Sequence, residues 1–297
     1  FGSSLGHRPV DARGTMSGQE ELCSAAMLAA ARYGDEAQLL LSLQLESPGC
    51  VDEQRRTPLH LAAEWNQRNA SLHLLAAGAL MDRDIRGRAP LHNAATAGHT
   101  GMVDLLLDAG AYVELEDGAL RRPVHIAARE GHLEVLRLLL DRGAGVNVMD
   151  GDQRTALHHT ARGDALFNLT ELLLSRGADL MLRDVVGFGA LHYACREGQR
   201  LTAARLLDLG ADLYAMDGTG WNPLVHAAAA GHEALVAQLV TQNLKPREYP
   251  LPDPSRFLPE GGTGGDLLAS HGWLLALLAV AACACCTMAL AMWRLRR

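Results

Sequence analysis

The sequence predicts an all-α solenoid of about seven helix–turn–helix units followed by one carboxyl-terminal transmembrane helix, and three observations carry that prediction. A slot occupied by Ala26, Pro58, Pro90, Pro123, Ala156, Ala190 and Pro223 recurs at intervals of 32, 32, 33, 33, 34 and 33 residues, the period of a stacked-repeat protein. An Ala-Ala pair, a turn glycine and a second apolar run return in phase with it. Near the end of the sequence, the 22 residues from Gly272 to Trp293 carry no charge. The chain divides accordingly into an irregular amino terminus (1–19), a repeat domain (20–244), a Pro/Gly-rich linker (245–271), a membrane span (272–293) and a short basic tail (294–297).

The unit from Arg122 to Ala144 shows why the period means helices. Pro123 suits a first helical turn, where its missing N–H costs nothing, and Gly131 stops that short helix. The apolar run Val135 to Leu140 forms a second helix, ended by Gly143 and Ala144. Helices of two or three turns cannot bury their apolar faces alone, so each unit must stack on its neighbours. Ala127 and Ala128 allow the close approach that stacking needs.

The run Thr57-Pro58-Leu59-His60-Leu61-Ala62-Ala63 and its near copy Ala89-Pro90-Leu91-His92-Asn93-Ala94-Ala95 resemble the ankyrin repeat family. Looser copies begin at Thr155, Gly189 and Asn222. Asp84, Asp117, Asp150, Asp184 and Asp217 fall in the family's hairpin-loop slot, and Gly78, Gly110, Gly143, Gly177 and Gly210 close the second helices. The resemblance spans about 225 residues. It implies protein partners bound at the hairpin tips and on the inner face of the first helices. For His60, His92, His125, His158 and His192 it implies hydrogen bonds that tie neighbouring loops, in place of the metal or acid–base role that a row of histidines invites.

Residues 1 to about 18 have no apolar run that would serve as a signal peptide, and Met16 or an upstream residue is the expected start. The first helix pair, 20–47, lacks the proline and histidine of the others, as a terminal unit with one face in water would. In the fifth repeat Thr160 replaces an alanine, Gly163 comes one place early and one residue is added before Leu172, so the turn between its helices should be distorted. The last repeat, about 217–244, lacks the closing Gly-Ala and caps the stack. Prolines at 246, 250, 252, 254 and 259, then glycines at 261, 262, 264 and 265, make a linker that is stiff first and flexible second.

A helix over 272–293 would be roughly 33 Å long at about 1.5 Å per residue, enough for a hydrocarbon core of about 30 Å. Trp273 and Trp293 sit where interfacial aromatics belong. With four residues behind it, the span resembles a tail anchor, with the repeats in the cytosol at the endoplasmic reticulum or the mitochondrial outer membrane. Arg294, Arg296 and Arg297 point the other way, because positive charge favours the cytosolic side. Cys283, Cys285 and Cys286 lie near the middle of the span and read as apolar packing rather than acylation sites.

The formal net charge of −7 argues against nucleic acid as a partner. Cys23, Cys50 and Cys195 are scattered, with no disulfide framework or zinc spacing, so a reducing compartment is expected for the repeats. No nucleophile with a base, no phosphate loop and no zinc-protease helix stands out. No enzyme activity, cofactor or small-molecule substrate is therefore expected. Asn69 and Asn168 head glycosylation sequons that matter only in a secretory lumen.

Arginine instead collects in register. Arg56, Arg88, Arg121 and Arg154 precede the Thr-Pro slot in four successive repeats, followed by Phe188 and Trp221, and the slot after the Ala-Ala pair holds Arg32, Glu64, Thr96, Arg129, Arg162, Arg196 and Ala229. Helices stacked at roughly 8 to 10 Å place neighbouring arginines within about one Debye length, so that they reinforce one another. An acidic or phosphorylated segment is the expected ligand of this groove, with Phe188, Trp221 and the Val185-Val186 loop as apolar anchors. The expected function is a membrane-tethered adaptor or scaffold. The alternative is an inhibitor that sequesters a signalling or transcription factor at a membrane.

Overall fold

Among the described residues, proline at the first helical position starts four of the seven first helices, and a histidine three residues behind the cap is found in five. The backbone N–H groups of Thr57, Ala89, Arg122, Thr155 and Gly189 donate to Nδ1 of His60, His92, His125, His158 and His192 at 3.0–3.1 Å. The opposite nitrogen, Nε2, meets a carbonyl of the following loop: His60 at Arg88 (2.9 Å), His125 at Val148 (2.9 Å), His158 at Leu182 (3.1 Å) and His192 at Ala215 (2.9 Å). Because Nδ1 accepts, the ring proton sits on Nε2 and is donated to that carbonyl. One neutral ring thus caps a helix and ties the next loop, as the resemblance implies.

The computed structural model describes residues 22–242. The amino-terminal segment 1–19, the linker 245–271, the span 272–293 with its three cysteines and the tail 294–297 lie outside the described residues. Among those that are described, no helix is long and apolar enough to cross a membrane, and the only extended pairing is an isolated bridge between Leu22 and Val51. The chain divides into two units after Tyr112.

The first unit holds α1 (Ala25–Tyr33), α2 (Glu36–Leu45), α3 (Pro58–Glu64), α4 (Arg68–Ala76), α5 (Pro90–Ala97) and α6 (Thr100–Asp108). First helices stack α1 on α3 and α3 on α5, and second helices follow as α2 on α4 and α4 on α6. The stacked contact is lined by Ala30, Ala31, Ala62, Ala63, Ala94 and Ala95, all buried, and Leu39, Leu74 and Leu106 fill the layer behind. The Ile85 N–H donates to the Gln54 carbonyl at 3.0 Å, which fixes one hairpin loop on the previous one.

The second unit holds α7 (Pro123–Glu130), α8 (Leu133–Asp141), α9 (Ala156–Thr160), α10 (Phe167–Ser175), α11 (Ala190–Arg196), α12 (Arg200–Asp208), α13 (Pro223–Ala229) and α14 (Glu233–Gln242). Here α7, α9, α11 and α13 stack in order. Its loops are joined by Gly151 to the Ala119 carbonyl, Val185 to that of Asp152 and Gly218 to that of Val186, at 2.9–3.1 Å. Gly187 has φ +83°, and a Cβ there would lie 2.8 Å from the Gly218 nitrogen. Glycine is therefore required where those two loops touch.

The fifth repeat departs as its sequence suggests. Helix α9 lasts five residues, Gly163 is extended rather than left-handed, and a 3-10 turn over Asp164–Leu166 takes up the added residue before α10. Asp164 then binds forward, its Oδ1 accepting from the Thr202 backbone N–H and hydroxyl.

One expectation is overturned. Cys23 and Cys50, 27 residues apart, form a disulfide with Cα atoms 5.0 Å apart. Their spacing fits no framework because the contact is made by the fold: the Cys23 N–H donates to the Val51 carbonyl, which draws the start of α1 against the end of the first repeat. Cys195 is a buried free thiol.

Candidate functional site

Each hairpin loop is built on an aspartate that uses its two oxygens differently. Oδ1 accepts backbone N–H groups two and four residues on, as in Asp84 with Arg86 and Arg88, Asp117 with Ala119 and Arg121, and Asp184 with Val186 and Phe188. Oδ2 is left for a side chain. In three loops that side chain is the arginine four residues on: Arg56 Nε on Asp52 at 2.8 Å, Arg88 Nε on Asp84 at 3.0 Å and Arg121 Nε on Asp117 at 2.9 Å. Burial alone would raise the Asp84 and Asp117 carboxyls, but the bonds from Arg88 and Arg121 outweigh it and hold both below the usual range.

In the next three loops the partner comes nine residues on, from the first helix. His159 Nε2 meets Asp150 at 2.9 Å, the Tyr193 hydroxyl donates to Asp184 at 2.5 Å and His226 Nε2 meets Asp217 at 2.7 Å. Against the opposing effect of burial, the His159 contact on Asp150, the Thr219 hydroxyl and the His226 contact on Asp217, and the loop N–H groups lower Asp150 and Asp217 to about 2. The slot nine residues on holds Leu61, Asn93, Ile126, His159, Tyr193 and His226, a switch that reading the arginines alone did not catch. The signal was present in the variable position between the motif histidine and the alanine pair.

The predicted site residues therefore separate into groups. Arg56, Arg88 and Arg121 are half-buried latches on their own loops. Arg154, displaced from Asp150 by His159, binds the Tyr193 hydroxyl at 3.0 Å and Asp152 at 2.9 Å. Phe188, expected as an anchor for a partner, is 8% exposed. It packs on His192, Tyr193 and His226 with centroids 5.4, 5.4 and 4.7 Å away, because its loop position points it between two first helices. Trp221 is half-buried against His226. Val185 and Val186 stand exposed at the loop tip.

Arg129, Arg162 and Arg196 form the more accessible set. Arg129 and Arg196 lie in the last turns of α7 and α11, where helix dipoles favour cations, and Arg162 follows α9. Among the described residues, Arg129 and Arg196 pair with the adjacent Glu130 and Glu197, and Arg162 is exposed. All three sit in the second unit, in the last turns of α7 and α11 and just past the end of α9. Arg196 also lies over the rings of Tyr193 and Phe188, at 5.1 and 5.5 Å from their centroids.

The sequence matches the family described as "Ankyrin repeats (3 copies)" over residues 26–117, 69–150 and 124–217. The 26S proteasome non-ATPase regulatory subunit 10 of Dictyostelium discoideum is 40% identical over 78 residues, 26% of this chain. That match spans about a third of the relative's length, 34%. The repeated caps, the loop aspartates and the family match over most of the described residues lead to one assignment: the chain belongs to the ankyrin repeat family of protein-interaction modules.

Proposed function

We propose that the protein is a non-catalytic, membrane-tethered adaptor whose repeats recruit a protein partner. The observation that carries this reading is the row Arg129, Arg162 and Arg196, one cation at or just past the carboxyl end of each of three successive first helices, where an extended acidic or phosphorylated segment finds repeated charge-assisted contacts. The latch arginines Arg56, Arg88 and Arg121 shape the loops, since a ligand would have to displace a buried aspartate to use the Nε and Nη2 edge of each. A non-ATPase regulatory subunit among the relatives supports a role without catalysis. The tether is the uncharged stretch 272–293, which raises the effective concentration of repeats and partner at one membrane. Sequestration of a signalling or transcription factor is the alternative use of the same surface.

The test is binding of a labelled decapeptide rich in glutamate and phosphoserine, with its glutamine and serine counterpart as control. The combined Arg129→Glu, Arg162→Glu and Arg196→Glu variant should lose at least about tenfold in affinity for the acidic peptide, the equivalent of roughly 1.4 kcal/mol. Unchanged affinity would remove the acidic ligand from the reading and leave the interaction role.

On topology, cytosolic repeats at the endoplasmic reticulum or mitochondrial outer membrane follow from the tail-anchor reading. A second arrangement, with the repeats on an oxidising side, is favoured by the Cys23–Cys50 disulfide and by the arginines behind the span.

A further inference from the structure

The first unit contains a pocket of about 310 Å³ lined by Glu64, Trp65, Arg88, Asn93, Thr96 and Ala97. Its floor holds a polar side chain that the fold leaves incomplete. Asn93 is 3% exposed, and its Oδ1 has no hydrogen-bond partner. Its Nδ2 faces the His60 carbonyl at 3.4 Å, so exchanging the amide atoms would set oxygen against oxygen and the orientation is fixed. In the same slot of other repeats, Leu61 and Ile126 need no partner, and His159, Tyr193 and His226 have one in the loop aspartate. Asn93 is excluded from that bond because Arg88 already holds Asp84 Oδ2 through Nε at 3.0 Å and Nη2 at 2.8 Å.

The same latch turns Arg88 into a donor for the pocket. With Nε and Nη2 engaged, Nη1 is the guanidinium nitrogen that the Asp84 bonds leave over. Trp65, 45% exposed, supplies a flat wall, and the Arg32 guanidinium, 4.4 Å from its ring centroid, steadies the indole. The pocket thus offers an acceptor in Asn93 Oδ1, a donor in Arg88 and an aromatic surface. A carboxylate would meet the oxygens of Asn93 and Glu64, and an ammonium would meet Arg88. A neutral planar group that both donates and accepts satisfies every wall, and among side chains that group is a primary carboxamide.

We propose that this pocket is a specificity subsite that receives the carboxamide of an asparagine or glutamine in an extended segment of a protein partner. The amide N–H donates to Asn93 Oδ1, the amide oxygen accepts from Arg88, and the plane lies against Trp65. The subsite belongs to the first unit and goes beyond the arginine row of the second.

The experiment is selection from a phage library of random octapeptides on the immobilised full-length chain, run in parallel with Asn93→Leu, Trp65→Ala and the triple arginine reversal. Leucine already occupies this slot at Leu61, so Asn93→Leu keeps the fold. Wild type should enrich Asn or Gln at one position at least about fivefold. That enrichment should vanish in Asn93→Leu, fall in Trp65→Ala and persist in the triple reversal, whose own loss falls on acidic positions. Enrichment of Ser, Thr, Asp, Glu, Lys or Arg at the Asn93-dependent position would overturn the proposal, as would no enrichment, or Asn/Gln enrichment that survives Asn93→Leu. Loss of acidic preference in the triple reversal reports separately on the reading of the second unit.

Discussion

Single side chains decide how each loop is closed, and the consequences are measurable. His159 and His226 do the same task, yet replacing each by leucine should not cost the same. In His159→Leu, Arg154 stands four residues behind Asp150 and can take over Oδ2 as Arg56, Arg88 and Arg121 do in their loops. In His226→Leu the corresponding residue is Trp221, which leaves Asp217 Oδ2 buried without its side-chain partner while the Thr219 hydroxyl stays on Oδ1, at a cost of about 1–3 kcal/mol. Urea denaturation should therefore rank His226→Leu as the more destabilised, and equal midpoints would reject the relay. The capping histidines give a second prediction. Burial holds His125 and His192 down to about 4 from an ordinary value of 6.5. The unfolded chain takes up those protons near pH 6.5 and the folded chain only near 4. Stability present above pH 6.5 is therefore lost as pH falls through that window, on the order of 3 kcal/mol per ring. Asp150 and Asp217, at about 2 against an ordinary 3.8, continue the loss below pH 3.8. A urea midpoint that stayed flat from pH 7 to 4 would contradict the neutral-ring caps.

At the scale of elements, the helices were legible because their signals are local: a proline or small residue to start, a glycine to stop, alanines to stack. The distorted turn after α9 was legible for the same reason, since an early glycine and an added residue leave a turn no regular path, whereas its 3-10 form and the shortening of α9 to five residues were not read from the sequence. The disulfide and the relay at the loop aspartates were not legible, because each joins residues whose proximity only the stacked fold creates. Cys23 and Cys50 flank a whole helix pair, and spacing alone suggested nothing. The bond makes the first repeat conditional on redox state. Closing a loop with a separation of 27 residues stabilises by about 3.5 kcal/mol on the chain-entropy account. Reduction, or Cys23→Ser with Cys50→Ser, should raise amide hydrogen exchange in α1 and α2 while leaving α11 to α14 of the second unit unchanged. Equal exchange in α1 and α2 before and after reduction would show that apolar packing of Met27 and Leu39 holds this repeat without the crosslink.

For the whole molecule, the proposed tether requires the repeats to lie on one side of a membrane, and two groups of observations favour opposite sides. The tail-anchor reading of residues 272–293 places the repeats in the cytosol, whereas the disulfide and the arginines at 294, 296 and 297 favour the oxidising side. Protease treatment of intact membranes from cells expressing the full chain separates them. On the tail-anchor reading the repeats are digested, Cys23 and Cys50 are recovered as thiols, and exposed Asn69 and Asn168 carry no glycan. In the opposite arrangement the repeats are protected, the two cysteines are recovered as a disulfide, and a glycan on either asparagine would mark a secretory lumen rather than an intermembrane space. Digestion together with a recovered disulfide would separate redox state from topology and make the first repeat a site of oxidation in the cytosol. The side assigned also fixes the partner search: cytosolic repeats call for acidic or phosphorylated segments there, and luminal repeats for acidic segments of secretory proteins. Release of the repeats by carbonate extraction at high pH would reject the tether itself, since a helix that spans the bilayer stays with it.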